Sequence, residues 1–431
     1  MVDSVELMYI KDLGVRTEES NQAVISTRQH RLMGASHIVV AGFLSRRMGR
    51  GMSGLLSLGR GARRKAQPAI IVALALTLGG CASRPGPELL VPVATASGTK
   101  SSSIYVATNR KRDTPSQNVF TAEPANTLNF AKFTIAIPPN HQPGNIEWPE
   151  GAPDPRVSFA TTDQAVLTST EFRKAVALSQ QSSRHGKKQN VLIFVHGYNN
   201  NFQESLYRLA QIDADTGFNG IPVLFAWPSQ GDVAGYGADK EAAANSRDSL
   251  IELLTMVTNS PQVGEIMVVA HSMGCMVTAE ALRELRISRR DRVIARLGRV
   301  VLAAPDIDVD VFQSQVQAIG PLNPPLTVLV SKDDAALRLS SFIGGSGVRV
   351  GALDIENPRV RDAALKAKVR IIDISQLQSP DGGMRHDRLF SLAALYPQLE
   401  RRPAAERQGF GAFLFDAANA RPIPVNQSPA N

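Results

Sequence analysis

Residues Glu265–Leu285, E-I-M-V-V-A-H-S-M-G-C-M-V-T-A-E-A-L-R-E-L, combine a strand pattern, a tight turn and a helix pattern. The run Ile266–Ala270 is apolar and rich in β-branched residues, which is typical of a strand buried on both faces of a parallel sheet. After the turn H-S-M-G at 271–274, apolar residues recur at about one-turn spacing and indicate a helix. A serine at the tip of a turn between a strand and a helix is the layout of a nucleophile elbow.

The residue types of this turn suit a nucleophile. A serine hydroxyl attacks a carbonyl carbon only where it projects from the backbone and a base removes its proton. The turn provides the projection for Ser272, and the small residues Ala270 and Gly274 let strand and helix approach closely. The pattern is G-x-S-x-G with Ala270 in place of the first glycine, a difference of one methyl group. An ordinary strand–helix loop can show the same pattern, so the assignment depends on the rest of the chain.

The composition is that of an ordinary globular chain, with an uneven distribution of charge. The 431 residues carry a net charge of +8, with 20% charged and 6% aromatic residues. Residues 1–80 contain 11 Lys/Arg and 5 Asp/Glu and so hold +6 of this charge. The basic character therefore belongs to the N-terminus and predicts no nucleic-acid partner. The two cysteines, Cys81 and Cys275, form no disulfide framework or metal-ligand pattern. The serine chemistry predicted below implies no metal and no organic cofactor.

Residues 48–80 have the pattern of a secretion signal. The basic stretch at 60–65 precedes the 11 apolar residues of Pro68–Leu78, which are too few to span a bilayer. The tetrapeptide L-G-G-C at 78–81 resembles the lipobox of bacterial lipoproteins, which implies cleavage before Cys81 and lipidation of that cysteine. A buried helix or a short anchor would also fit this segment. The resemblance predicts a protein tethered to the bacterial cell envelope and facing the periplasm, with Ala82 favouring the outer membrane over the inner.

Shifts in composition also predict the domain organisation. The segments are a non-native upstream extension at 1–47, a signal peptide at 48–80, a flexible tether at 81–101, an α/β domain at 102–400 and a disordered tail at 401–431. A signal should begin near the start of translation, which would then be Met48 or Met52. Within the domain, residues 102–190 form an N-terminal strand-rich elaboration and residues 191–400 the catalytic core.

Strand and helix patterns alternate regularly from Val191, which predicts a mostly parallel sheet covered by helices. One long helix is expected over residues 238–259. Polar clusters follow the predicted strands: H-G-Y-N-N at 196–200, A-P-D-I-D at 304–308 and S-K-D-D at 331–334. Functional sites of such sheets are built at the carboxyl ends of the strands, so we expect these clusters to surround one site.

The same edge supplies partners for Ser272. In this architecture the chain order is nucleophile, acid, base, and His386 is the one histidine that follows Ser272. His386 is therefore the predicted base, although a loop histidine can also be merely solvated. The acid that orients it is expected after a nearby strand, with Asp334 favoured. The reserve candidates, any of which could instead cap a turn or a helix, are Asp333, Asp306 and Asp308.

An oxyanion site needs two backbone N–H groups aimed at the developing negative charge. One is expected from Met273, at the start of the helix after the serine. The second is expected from Tyr198, in the loop that follows the strand 191–195. In that loop we interpret His196 as structural, and His271 is too rigidly adjacent to Ser272 to act as its base.

Taken together, these motifs resemble the α/β-hydrolase superfamily. They are the strand followed by H-G-Y-N-N, then A-H-S-M-G, A-P-D-I-D, S-K-D-D-A-A-L and a late histidine. More narrowly, they are similar to a bacterial group of esterase- or lipase-like hydrolases formerly labelled a domain of unknown function. The similarity spans about residues 102–396 and implies an α/β-hydrolase fold, a mostly parallel sheet flanked by helices, with an N-terminal strand-rich extension. It implies the triad Ser272, Asp334 and His386, because the S-x-x-D-x-A-L element aligns the acid with Asp334. Tyr198 and Met273 take the roles of oxyanion donors.

The predicted function is a serine hydrolase that cleaves a carboxylic ester, of a small molecule or a lipid, through an acyl-enzyme. Two alternatives stay open. An acyltransferase would pass the acyl group to a lipid or glycan hydroxyl, and a catalytically idle scaffold would bind a ligand at the envelope.

Overall fold

The computed structural model describes residues 84–177, 188–344, 347–380 and 383–393. The described residues all belong to one compact unit. The predicted upstream extension, the signal peptide, Cys81 and the C-terminal tail all lie outside the described residues. Within the described ranges, no helix is long and apolar enough to cross a membrane.

The described part of the chain forms a nine-stranded sheet with the order β3-β2-β1-β5-β4-β6-β7-β8-β9. The strands are β1 (Lys100–Arg112), β2 (Phe120–Ile137), β3 (Ala160–Leu167), β4 (Gln189–Val195), β5 (Gly220–Ala226), β6 (Val263–His271), β7 (Leu297–Ala303), β8 (Thr327–Val330) and β9 (Arg370–Asp373). Strands β1 to β3 pair with one another in antiparallel fashion, and every other neighbouring pair is parallel. The N-terminal strands therefore extend the main sheet, since β1 pairs with β5.

Helices cover both faces of the sheet. They are α1 (Ser169–Ala177), α2 (Phe202–Thr216), α3 (Tyr236–Asn245), α4 (Arg247–Thr258), α5 (Met273–Ile287), α6 (Asp291–Ala295), α7 (Val309–Ile319), α8 (Ala335–Ile343) and α9 (Pro358–Ala367). One apolar cluster packs α4 and α5 against one face of the sheet, and a second packs α2 and helical residues 388–393 against the other. Strands buried on both faces explain the near-continuous apolar runs in the sequence. The predicted fold class, a mostly parallel sheet flanked by helices, is confirmed.

The helix expected over residues 238–259 is two helices, α3 and α4, that meet at Ser246. The Ser246 hydroxyl donates to the carbonyl oxygen of Ala242 at 2.7 Å and accepts from the buried amide of Asn109 at 2.9 Å. A serine that bonds back to the preceding turn competes with the helical hydrogen bonds and bends the chain. The apolar periodicity continues through this break, so the sequence pattern did not reveal it.

Residues 84–91 pack against the domain, in contrast to the flexible tether that composition predicted over 81–101. A 3₁₀ turn at Pro87–Leu90 buries Leu89 and Leu90. The carbonyl oxygen of Leu89 accepts hydrogen bonds from Thr161 Oγ1 at 2.7 Å and Tyr207 Oη at 2.9 Å. Two apolar side chains with a satisfied backbone are enough to hold a segment whose other residues favour loops.

Candidate active site

Ser272 sits in a strained turn between β6 and α5. Its φ of +52° and ψ of −123° place it in a region that residues with a side chain rarely occupy, at a cost of about 1–3 kcal/mol. The surrounding backbone holds this conformation. The Ser272 N–H donates to the carbonyl oxygen of Ala303 at 2.9 Å, and its own carbonyl oxygen accepts from the N–H of Cys275 at 3.0 Å. The local geometry is therefore that of a nucleophile elbow, between the strand and helix that the sequence predicted.

Two glycines allow the close approach that this turn requires. A Cβ on Gly274 would lie 2.3 Å from the carbonyl oxygen of His196, a backbone atom that cannot easily move. A Cβ on Gly197 would lie 2.9 Å from Cβ of Ser272 and 3.0 Å from Nδ1 of His271. The loop after β4 therefore lies directly against the serine, and only glycine fits at these two positions.

His386 and Asp334 are hydrogen-bonded to each other. Nδ1 of His386, in the loop after β9, lies 2.7 Å from Oδ2 of Asp334. Asp334 is fully buried, and its Oδ1 accepts from the N–H of Leu337 at 3.0 Å, so the same carboxylate caps α8. Because an ionised carboxylate can only accept, Nδ1 carries the proton and Nε2 is left as the atom that can take another. This is the relationship that an acid and a base of a triad require.

The protonation of His386 depends on the same contact. Burial disfavours the charged imidazolium, but the hydrogen bond and charge of Asp334 outweigh burial, with smaller contributions from the charges of Asp387 and Asp306. The net result is a raised pKa for His386. The surroundings thus stabilise the imidazolium that forms when the ring accepts a proton.

The three reserve carboxylates are occupied elsewhere. Asp306 is buried, forms an ion pair with Arg349 at 3.2 Å, and accepts hydrogen bonds from the hydroxyls of Ser340 at 2.7 Å and Tyr236 at 3.1 Å. Asp308 caps α7 by accepting from the backbone N–H two residues on.

Asp333 is held by two arginines. Arg388 pairs with both of its carboxylate oxygens, and Arg385 lies 3.0 Å from Oδ2. The hydrogen bond from Arg388 is the main reason that the pKa of Asp333 is well below its usual range. These arginines lie on either side of His386 in the chain, so the contacts of Asp333 stabilise the loop that carries the histidine. Asp334, by contrast, contacts the histidine ring itself.

The two expected oxyanion donors belong to segments that border the serine turn. Met273 is the first residue of α5, where backbone N–H groups have no acceptor within the helix. Tyr198 follows Gly197, whose Cα carries no side chain where it faces Ser272. Among the described residues, the N–H of Tyr198 donates to no other group. Both groups are thus placed in segments that border Ser272 and are free of competing bonds within the described part of the chain.

Comparison with known sequences identifies the family. Residues 171–402 match the profile of a family described as "Alpha/beta hydrolase of unknown function (DUF900)". The chain belongs to this family. The resemblance that the motifs suggested is therefore confirmed, and the protein is an α/β hydrolase by family. No curated protein matches the sequence.

Matches among solved structures include a cutinase, a fungal esterase and a lipase-esterase related protein. A Trichoderma reesei cutinase in complex with a C11Y4 phosphonate inhibitor has 13% identity and a TM-score of 0.25, covering 46% of this chain and 87% of the cutinase. An esterase from Rhizomucor miehei has 10% identity and a TM-score of 0.30, covering 62% and 81%. A lipase-esterase related protein from Clostridium acetobutylicum has 12% identity and a TM-score of 0.23, covering 48% and 82%.

His271 contacts His386 in this α/β hydrolase, a role that sequence reasoning missed. Nε2 of His271 lies 3.2 Å from the carbonyl oxygen of His386, and the two rings are 4.7 Å apart. Burial, reinforced by the charge of His386, lowers the pKa of His271 to about 4, so the ring is neutral and Nε2 can donate to that carbonyl. Because His271 precedes Ser272, this contact joins the serine turn to the loop of His386. From the sequence, the adjacency of His271 to Ser272 indicated only that His271 is not the base, and it did not reveal this contact.

His196 is structural, as its position in the turn suggested. Its ring stacks on Trp227 at 4.9 Å, and the Trp227 indole N–H donates to the carbonyl oxygen of His196 at 2.7 Å. Burial is the main reason that the pKa of His196 falls to about 3, which keeps the ring neutral. Within the described ranges, no group of three or more His, Cys, Asp or Glu side chains is arranged to hold a metal ion.

Proposed function

We propose that this α/β hydrolase is a serine hydrolase that cleaves carboxylic esters through an acyl-enzyme, with Ser272 as nucleophile, His386 as base and Asp334 as acid. The observation that carries the proposal is the 2.7 Å bond between His386 and Asp334, at the sheet edge where Ser272 occupies a strained turn. Chemistry of this kind needs a nucleophile that projects, a base and a group that orients the base. The proposal is supported by chain position, since Ser272 follows β6, Asp334 follows β8 and His386 follows β9, each after the carboxyl end of a parallel strand.

The proposed reaction has two halves. In the first, Nε2 of His386 takes the hydroxyl proton of Ser272 while Oγ attacks the ester carbonyl carbon. The negative charge that develops on the carbonyl oxygen is stabilised by the N–H groups of Tyr198 and Met273. Collapse of the tetrahedral intermediate breaks the bond to the alkoxy oxygen, which leaves as an alcohol with the proton from His386. In the second half, Nε2 of His386 takes a proton from water while the water oxygen attacks the acyl carbon. The bond from the acyl carbon to Ser272 Oγ then breaks, and His386 returns the proton to Oγ, which releases the acid and the free Ser272 hydroxyl.

A soluble form that begins at Ser83 tests this proposal, with Ser272→Ala as the matched control. Both proteins are treated with a fluorophosphonate probe and assayed with p-nitrophenyl esters of increasing acyl length. We expect the first protein to label and turn over and the variant to do neither, because Ala lacks the attacking oxygen. The dependence of the rate on acyl length would then indicate how long an acyl chain the pocket accepts. A folded wild-type protein that neither labels nor turns over would contradict the proposal and favour the idle binding scaffold.

The acyltransferase differs only in the group that accepts the acyl. In the same assay, addition of a lipid or glycan alcohol would yield a transacylated product if the acyl-enzyme prefers hydroxyls to water. Product analysis by mass spectrometry separates the two outcomes, and free acid as the main product would favour hydrolysis. The family assignment and the geometry of the Asp334–His386 pair support either reaction equally.

We further propose that the protein is lipidated at Cys81, faces the periplasm and is held at the bacterial outer membrane. The support is the basic, apolar and L-G-G-C pattern of residues 60–81. A thioether-linked diacylglycerol with an N-acyl chain would give stable anchoring, because several acyl chains insert together. Metabolic labelling with a palmitate analogue tests this, with Cys81→Ser as control. Equal labelling of both proteins would reject the lipidation site.

A further inference from the structure

The loop after β4, residues 198–201, has nearly all of its backbone polar groups bound. The N–H groups of Asn199 and Asn200 donate to Asp239 Oδ2 at 3.3 Å and to Ser229 Oγ at 3.2 Å. The Tyr198 carbonyl accepts from the side-chain amide of Asn200 at 2.8 Å. A loop fixed in this way holds the one N–H that is left over, that of Tyr198, in a set direction.

One of the groups that fix this loop comes from the N-terminal segment. The Arg84 guanidinium donates through Nη2 to the carbonyl oxygen of Asn199 and through Nη1 to its side-chain Oδ1, both at 2.6 Å. Nη1 also donates to the carbonyl oxygen of Gly231. Nε and Nη2 form a two-pronged pair with the carboxylate of Glu204, with Nε 3.0 Å from Oε1. A planar guanidinium is the side chain that can satisfy several acceptors at fixed angles in this way.

Arg84 acts on the strained residue of the loop. Asn199 has a φ of +57°, a left-handed conformation that is unfavourable for a residue with a side chain. Arg84 binds both oxygens of this residue, so it stabilises the loop conformation immediately after Tyr198, the residue expected to donate its N–H to the oxyanion. A second contact from the same segment joins the carbonyl oxygen of Pro85 to Nδ2 of Asn201 at 2.8 Å, where Asn201 caps α2.

The capping arrangement of α2 links these contacts. Asn201 and Glu204 cap each other, with 2.9 Å between the N–H of each residue and the side-chain oxygen of the other. Arg84 binds the same Glu204 carboxylate from outside. The loop is therefore braced at Asn199 and at the start of α2 by one arginine that lies over 100 residues away in the chain.

We propose that Arg84 is a positioning residue for the oxyanion site, and that the segment 84–90 is a brace that keeps the N–H of Tyr198 aimed at the reacting carbonyl oxygen. This rests on the proposed esterase function. Arg84 itself touches no reacting atom. Loss of the brace lets Asn199 relax from its left-handed conformation and turns the Tyr198 peptide away from the oxyanion.

The test compares the form that begins at Ser83 with Arg84→Ala, Arg84→Lys and the control Arg156→Ala. Arg156 is exposed, pairs only with Asp154 two residues away among the described residues, and lies outside the site. We expect Arg84→Ala to lower kcat about 10- to 100-fold with KM within about twofold, because the oxyanion contact acts in the transition state. Arg84→Lys should recover only part of the loss, since an ammonium cannot reproduce the fork. Added guanidinium should restore activity to Arg84→Ala and leave Arg156→Ala unchanged.

Amide hydrogen exchange of residues 197–201 gives a readout that does not depend on activity. We expect faster exchange in Arg84→Ala than in Arg156→Ala. The proposal would be overturned if Arg84→Ala changed neither kcat nor amide exchange. It would also be overturned if kcat fell, guanidinium did not restore it, and both Arg84 variants were generally unfolded. If the wild-type protein shows no esterase activity, the proposed function fails by itself, and the exchange result alone decides whether Arg84 braces the loop.

Discussion

Asp334→Asn is the substitution that tests the proposed acid most directly. Asparagine keeps the size of the side chain, and its Oδ1 can still accept from the N–H of Leu337, so the cap of α8 is retained. What changes is the group that faces His386. The contact at 2.7 Å loses its negative charge, and an amide N–H placed there would turn the imidazole to the tautomer with a proton on Nε2. The ring could then no longer accept a proton from Ser272.

The magnitude follows from the geometry. Two unit charges whose centres are about 4 Å apart interact by about 4 kcal/mol at an effective dielectric constant of about 20. Asp334 stabilises the imidazolium of His386 by an amount of this order, and about 4 kcal/mol of barrier corresponds to about three powers of ten in rate. We therefore expect kcat/KM to fall about 10³-fold or more in Asp334→Asn, with little change in the free energy of unfolding. The effect on tautomer acts in the same direction.

The pH dependence gives a second readout. Asp334 raises the pKa of His386, and the base must be neutral to work, so activity in the wild type increases as pH rises through that pKa. Removing the charge lowers the pKa, so the acidic limb of residual activity should move to lower pH. Steady-state rates on a p-nitrophenyl ester between about pH 5 and pH 9 measure both effects.

Asp308→Asn is the matched control, because Asp308 is a reserve carboxylate that caps a helix and asparagine caps equally well. We expect its activity to stay within about threefold of the wild type. If Asp334→Asn kept its activity within about tenfold while Asp308→Asn lost it, the assignment of the acid would be wrong.

Two further predictions concern stability. In Gly274→Ala the new Cβ would lie 2.3 Å from a carbonyl oxygen of the loop after β4, so we expect a loss of about 1–3 kcal/mol or more in the free energy of unfolding and a distorted serine turn. In the control Gly237→Ala the new Cβ meets nothing within 4 Å, so the free energy of unfolding should be unchanged or higher by up to about 1 kcal/mol. Equal denaturation midpoints for the two variants would refute this reasoning. His141 lies 2.7 Å from Glu147 and 2.9 Å from Asp215, and although burial opposes the charged ring, these two carboxylates raise its pKa. Its charged form therefore stabilises the fold below the unfolded pKa, and this contribution is lost as pH rises through the folded pKa. His141→Gln should destabilise the protein more at about pH 5.5 than at about pH 8.5, measured by urea unfolding, and a larger effect at the higher pH would contradict the sign.

The local elements were within reach of the sequence because they depend on neighbours in the chain. The apolar run before Ser272 and the one-turn periodicity after it predicted β6 and α5, and the glycine at 274 indicated a close approach. The structure gives that approach a partner, the carbonyl oxygen of His196. Where local signals conflicted, prediction fell short. At the helix break, Ser246 bonds back to Ala242 and also accepts a hydrogen bond from Asn109, which lies 137 residues away in the chain and which no local pattern indicated.

Candidate residues could be named from type and order, but their contacts could not. Reasoning from the residues alone left four carboxylates as possible partners of His386 with Asp334 favoured, and the resemblance supported that choice. The structure brings Asp334 to the imidazole and gives Asp306, Asp308 and Asp333 other partners. Distances of this kind depend on how β8, α8 and the loop after β9 pack, and no short stretch of sequence encodes that packing.

By itself, the sequence determined the order of strands and helices, the serine turn and the late histidine, because periodicity, small residues and chain order are written locally. Only the tertiary structure decided that β1 pairs with β5, that His271 contacts the loop of His386, and that Arg84 binds Asn199 in the loop after β4. Each of these features joins residues more than 100 positions apart. Their physical origin is the burial of apolar faces, which brings distant segments together so that hydrogen bonds between them can form.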